Sequence, residues 1–133
     1  MVGILYISDL RGCPFIGRYI DALEDENIEY KIILWNRECG DGQTEELGHV
    51  IEFKYFQDTR ISKEKKAKGF LKYMRFLNNQ IKMHQFDKLI VLCTLTGMLA
   101  FWKLMRRYRG KFIFDIRDIS FENIRLFNHL EKK

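Results

Sequence analysis

The stretch VGILYISDLRGCPFIGRYIDALEDENIEYKIILW, residues 2–35, decides the fold. Residues 2–7 are an unbroken apolar run, the mark of a strand buried on both faces. A polar loop over residues 8–13 follows, and then Pro14 stands where a helix can open. Its missing N–H costs nothing in a first helical turn. Phe15, Ile16, Tyr19, Ile20 and Leu23 recur at helical spacing, and residues 30–35 (YKIILW) read as a second buried strand. Strand, helix and strand in that order imply a parallel pair joined by a right-handed crossover.

The pattern continues outward from this unit. Residues 36–48 are polar and contain Gly40, Gly42 and Gly48, so they read as a loop. Residues 49–56 alternate around Val50, Ile51, Phe53 and Phe56 as a third strand. A long helix is expected from about 62 to 85, with Ala67, Phe70, Leu71, Met74, Leu77 and Ile81 on its apolar face. Residues 88–93 (KLIVLC) form a fourth strand, 94–97 a turn, 98–108 a helix and 111–116 (KFIFDI) a fifth strand. Ser120, followed by Glu122 and Asn123, is placed to cap a last helix through His129. The expected fold class is α/β: a doubly wound, mainly parallel, Rossmann-like sheet with helices on both faces. At 133 residues the chain is one domain.

Composition narrows the function. Apolar residues make up 47% and charged residues 31%, which suits a globular domain. The net charge of +5 favours anionic partners without selecting one. The longest nearly apolar run, residues 89–102, is interrupted by two Thr and a Gly and is too short to span a bilayer. The N-terminus carries no basic segment ahead of its apolar stretch and so is no secretory signal. Cys13, Cys39 and Cys93 are odd in number and far apart, which argues for reduced thiols in a cytoplasm and against a zinc site or a disulfide framework.

In an open parallel sheet, ligands bind beyond the carboxyl ends of the strands, where strand order reverses. The loops expected there bring Ser8, Asp9, Arg11, Thr94, Thr96, Arg117 and Asp118 toward one crevice. Hydroxyls, carboxylates and guanidiniums suit a polyhydroxyl or phosphorylated ligand. The first loop lacks the G-x-G-x-x-G of a dinucleotide site and the G-K-[ST] of a P-loop. A Cys phosphatase cradle from Cys13 needs an arginine where Tyr19 stands, so Cys13 reads as a packing residue. His49, His84 and His129 share no metal-ligand spacing, and neither a metal nor another cofactor is expected.

Between residues 60 and 75 stand Arg60, Lys63, Lys65, Lys66, Lys68, Lys72 and Arg75, with Glu64 the one acid. Opposite the apolar face of the long helix they form a cationic strip suited to an anionic membrane surface, and Lys103, Arg106, Arg107, Arg109 and Lys111 add a second cluster. No recognisable nucleic-acid module accompanies them, so a nucleic-acid partner is not expected.

The opening ILYISDLRGCPFIGRYIDALEDENIEYKIILWNR and the closing GKFIFDIRDISFE resemble the N-terminal half of a GT-B-fold glycosyltransferase of the family 4 (group 1) type. The resemblance covers nearly the whole chain. It implies transfer of a sugar, with retention and without a metal, from a nucleotide-sugar donor to a saccharide or lipid-linked acceptor. It further implies that these residues are the acceptor-side domain, inactive alone, and that the donor domain with its Glu-x7-Glu element lies outside this chain. Arg117 and Asp118 stand where the family often carries a His-Asp-like catalytic pair. Asp9 and Arg11 would contact acceptor or sugar, and Asp118 would bond hydroxyls or orient Arg117. The location implied is cytoplasmic, peripheral at the inner face of the membrane. Two alternatives remain: a flavodoxin-like or receiver-like regulatory module, and a membrane-docked subunit of a split transferase. A receiver would need an acidic pair after its first strand, where Asp9 stands alone.

Overall fold

The computed structural model of the chain describes residues 1–8, 10, 13–38, 48–58 and 60–116. Its elements run β1 (Val2–Leu5), α1 (Ile16–Asp25), β2 (Tyr30–Asn36), β3 (Val50–Lys54), α2 (Lys63–His84), β4 (Lys88–Leu92), α3 (Thr94–Arg107) and β5 (Phe112–Asp115). The strands form one all-parallel sheet in the order β3-β2-β1-β4-β5. The α/β fold with helices on both faces is therefore as the apolar runs imply. The expected last helix over 120–129 lies outside the described residues.

Strict alternation along the central strands explains why they read as continuous apolar runs. Leu5, Ile33, Trp35, Leu89 and Val91 face one way, against Tyr73, Leu77 and Ile81 of α2 and Ala100 and Leu104 of α3. Val2, Ile4, Ile32, Leu34, Ile90 and Leu92 face the other way, against Ile16 and Leu23 of α1. Cys13 is buried in this second layer, as a packing residue. Each such large side chain taken out of water contributes roughly 1.5–3 kcal/mol before chain entropy is counted.

Local chemistry sets the element ends. Asn27 takes the left-handed conformation (φ 53°) after α1, and Ile28 N–H returns to the Leu23 carbonyl at 2.8 Å. This is the αL termination that Asn tolerates. Ser62 caps α2 by accepting from Lys65 N–H, and Gln85 ends that helix in the αL region. The Asn78 amide donates to the carbonyls of Met74 (2.7 Å) and Leu99 (3.2 Å), tying α2 to α3.

Three expectations need correction. The buried face of α2 is Gly69, Tyr73, Leu77 and Ile81, whereas Ala67 and Leu71 are exposed. Gly69 sits against the Gln57 side chain and the edge of Trp35, an approach that a residue without Cβ permits. Residues 94–97 are not a turn but the first turn of α3, because Cys93 takes a positive φ (67°) and bends strand directly into helix. Pro14 also lies outside α1, which begins at Ile16.

Gly3 faces the α2/α3 layer, and a Cβ there would stand 2.8 Å from Leu89 Cδ2 and 2.9 Å from the Phe86 ring, both buried. Gly3→Ala is expected to cost about 1–3 kcal/mol in urea unfolding, the usual penalty for overpacking a closed core. A second expectation concerns pH. Tyr30 donates to Glu24 Oε1 at 2.8 Å, and burial first, then this carboxylate, push its hydroxyl from the ordinary 10 up to about 12. The folded chain thus keeps a proton that the unfolded chain loses. The resulting stability is complete below pH 10 and disappears between pH 10 and about 12. Urea midpoints measured across that range should fall less steeply for Tyr30→Phe than for the natural chain.

Candidate functional site at the carboxyl end of the sheet

Strand order reverses between β1 and β4, so the crevice opens where these two strands end. Three groups of side chains meet the opening. Tyr6, Ile7 and Ser8 follow β1, Cys93 and Thr94 follow β4, and Asn36 and Arg37 close β2.

Arg37 is the central cation. Its guanidinium lies 4.5 Å from the Trp35 ring centroid and 5.5 Å from that of Phe70, and Nη2 donates to the Ile7 carbonyl at 3.3 Å. Nε is buried without a hydrogen-bond partner among the described residues. Burial lowers its pKa, while Tyr73, Cys93 and Tyr6, rather than any carboxylate, push it back up. A half-buried guanidinium balanced by rings and a carbonyl, without an opposite charge among the described residues, suits an anionic ligand.

The β4–α3 junction adds donors to the same face. Cys93 carries φ 67° and ψ 153°, a combination close to glycine-only territory. Its amide donates to the Asp115 carbonyl at 3.0 Å, and its thiol lies 3.1 Å from Thr96 Oγ1. No side chain caps α3 and no acid stands in its first turn, so its leading amide groups remain donors. Thr94 Oγ1 is buried with no partner among the described residues. Thr96 is fully buried, and its hydroxyl serves the turn through Cys93.

Across the opening, Tyr19 of α1 donates to Asp115 Oδ2 at 2.6 Å, linking α1 to the end of β5. Of the expected crevice residues, Ser8, Thr94 and Thr96 are thus placed at this end of the sheet. Asp9, Arg11, Arg117 and Asp118 lie outside the described residues. Sequence reasoning missed Arg37, Tyr6, Tyr19 and Asp115. Arg37 stands two positions after the YKIILW run of residues 30–35, but nothing in that spacing sets its guanidinium over the crevice.

The cationic strip on α2 is largely solvent-facing. Arg60, Lys63, Lys65, Lys68, Lys72 and Arg75 are exposed, whereas Lys66 is half-buried. Lys72 Nζ rests 4.5 Å from the Tyr55 ring centroid. Lys65 and Lys68 also line a 270 Å³ recess beyond β3 with Tyr55, Phe56, Asp58 and Ile61. A larger apolar groove of 310 Å³ lies at the opposite, amino-terminal end of the strands, between Val2, Leu23, Ile90 and Ile113. His49 stacks on Tyr30 and His84 lies beside Gln80, both away from the crevice. Among the described residues no cluster of His, Cys, Asp or Glu could hold a metal ion. No described helix is long and apolar enough to cross a membrane.

Comparison with protein families, with curated proteins and with solved structures finds no match for this chain.

The backbone of Cys93 sets up a direct test of the junction. At an ordinary strand or helix position alanine outperforms glycine by about 0.5–1 kcal/mol. At position 93 the order should reverse: Cys93→Gly is expected to be more stable than Cys93→Ala by about 1 kcal/mol, since only glycine relieves the positive φ. Paired denaturant titrations of the two variants provide the measurement.

Proposed function

We propose that this chain is the acceptor-binding half of a retaining glycosyltransferase, acting with a separate donor domain that holds the nucleotide-sugar. The observation that carries the reading is Arg37, a cation set over Trp35 at the strand-order reversal with no carboxylate acting on it among the described residues. Around it stand a helix N-terminus and a Thr94 hydroxyl that have no side-chain partner among the described residues, and Ser8. That combination suits a ligand carrying both phosphate and hydroxyl groups, such as a phosphate-linked saccharide. The resemblance of residues 4–37 and 110–122 to the acceptor side of such enzymes supports the same class of ligand.

In this reading Arg37 binds acceptor phosphate, and its fixed seat on the indole holds the phosphate in one place. Amide groups opening α3 share the negative charge, as helix N-termini do. Ser8 and Thr94 bond sugar hydroxyls. Asp118, with Arg117 beside it, would orient the reacting hydroxyl, and Asp9 and Arg11 would contact the acceptor. Arg117 could also steady charge developing on the leaving phosphate.

Amide NMR of the chain separates the reading from its rivals. Titration with a hexose 1-phosphate should shift the resonances of Ser8, Arg37, Cys93 and Thr94 together. Arg37→Met should weaken binding roughly ten- to a hundredfold, the range of a lost charge-assisted hydrogen bond. Inorganic phosphate binding as tightly as the sugar phosphate would point instead to a simple anion-binding module. Silence of these four amides toward every sugar phosphate would remove the glycosyltransferase reading.

A further inference from the structure

The outer surface of α3 is apolar where a water-facing helix is ordinarily polar. Met98 is 67% exposed, Trp102 70%, Phe101 48%, Met105 42% and Leu95 36%. Positions 95, 98, 102 and 105 follow one another along a single helical stripe. The rings of Phe101 and Trp102 meet edge to face at 5.6 Å, and the Arg106 guanidinium lies 5.6 Å from the Trp102 ring centroid. Phe114 of β5, seated against Gly97, extends the patch beyond the helix.

The segment that carries this stripe has charge of one sign. From Lys88 to Phe114 the sequence contains no Asp or Glu, while Lys103, Arg106, Arg107, Arg109 and Lys111 stand in or just after the helix that carries the stripe. On α2, which covers the same face of the sheet, the exposed cations Lys65, Lys68, Lys72, Arg75 and Lys82 accompany exposed Leu71 and Met83.

We infer that α3 is a membrane-docking helix that lays Met98, Phe101, Trp102 and Met105 into the interface of an anionic bilayer, with the surrounding Lys and Arg at headgroup level. Apolar stripe and cationic rim are complementary to the two layers of such a surface. Tryptophan suits the boundary because its indole has an apolar body and a polar N–H. Arginines beside it keep their stems in the apolar zone and their guanidiniums among phosphates. A second copy of the chain fits less well, since a two-fold contact through α3 would set one predominantly cationic rim against another. The inference does not depend on what the crevice binds.

The two tryptophans make the test direct, because Trp35 is fully buried and Trp102 is exposed. The 133-residue protein is mixed with vesicles of phosphatidylcholine alone or of phosphatidylcholine with phosphatidylglycerol, and flotation and tryptophan emission are recorded. Only the anionic vesicles should carry the protein upward, with a blue shift of emission and quenching by brominated lipid. Trp102→Ser should abolish the shift and, as a surface change that leaves the melting temperature unaltered, weaken vesicle binding about tenfold. Met98→Ser tests the stripe without touching a fluorophore and should also weaken binding. Equal recovery on neutral and anionic vesicles would overturn the proposal. So would an unshifted Trp102 emission on bound protein, or self-association through this face with no vesicle uptake.

Discussion

Tyr73 stacked on Trp35 is the contact on which both the core and the crevice depend. The rings lie 5.3 Å apart at 22°, and both residues are fully buried. Trp35 belongs to β2 and Tyr73 to α2, so the stack fixes the helix over the sheet. The Trp35 Nε1–H donates to the Tyr55 carbonyl, and Phe53 and Phe70 meet the indole edge-on. The Tyr73 hydroxyl donates to the Tyr6 carbonyl at 2.5 Å, reaching the end of β1. Burial pushes that hydroxyl's pKa well above the usual tyrosine range, so it stays a donor. Arg37 then rests on the other partner of the stack. A cation over an indole face is stabilised without an opposite charge, most strongly when partly desolvated. The cluster that closes the core thereby positions the crevice's cation.

Right-handed crossovers distribute the helices unevenly. Passage from β1 to β2 moves one way along the sheet, whereas β3 to β4 and β4 to β5 move the other way. A constant hand therefore puts α1 on one face and α2 with α3 on the other. Among the described residues the β4–β5 half of the α1 face carries no helix, and the apolar groove between Leu23, Ile90 and Ile113 lies there. On the opposite face α3 is the layer beside β5, a strand at the edge of the sheet. That position leaves its outer stripe in water.

Much of the fold was legible in the sequence, for a local reason. The strands around residues 2–7, 30–35 and 88–93 must be apolar at every position because both faces are covered, and no distant information is needed to see that. The long helix was legible as a helix but not in its orientation. Its apolar residues spread over more than one stripe, and Leu71 competes with Tyr73 for the core. Gly69, which looks like a weak point in a helix, settles the matter by admitting Gln57 and Trp35. Thr94 through Gly97 looks like a turn by composition, yet the strained Cys93 backbone makes the turn in a single residue. In the crevice, Ser8 and Thr94 could be placed because they end strands flanking the reversal. Arg37 could not, since β2 lies one strand away and its guanidinium crosses to β1 through the Ile7 carbonyl.

By itself the sequence determined the class of fold, the parallel strands and the end of the sheet at which Ser8 and Thr94 stand. Those follow from periodicity and burial, which are properties of short segments. Tertiary structure alone decided the strand order, the buried face of α2, the seat of Arg37 on Trp35 and the exposure of the α3 stripe. Each of these depends on which residues far apart in the chain become neighbours. Side-chain shape and the handedness of the crossovers resolve that choice, and neither is written in any one segment.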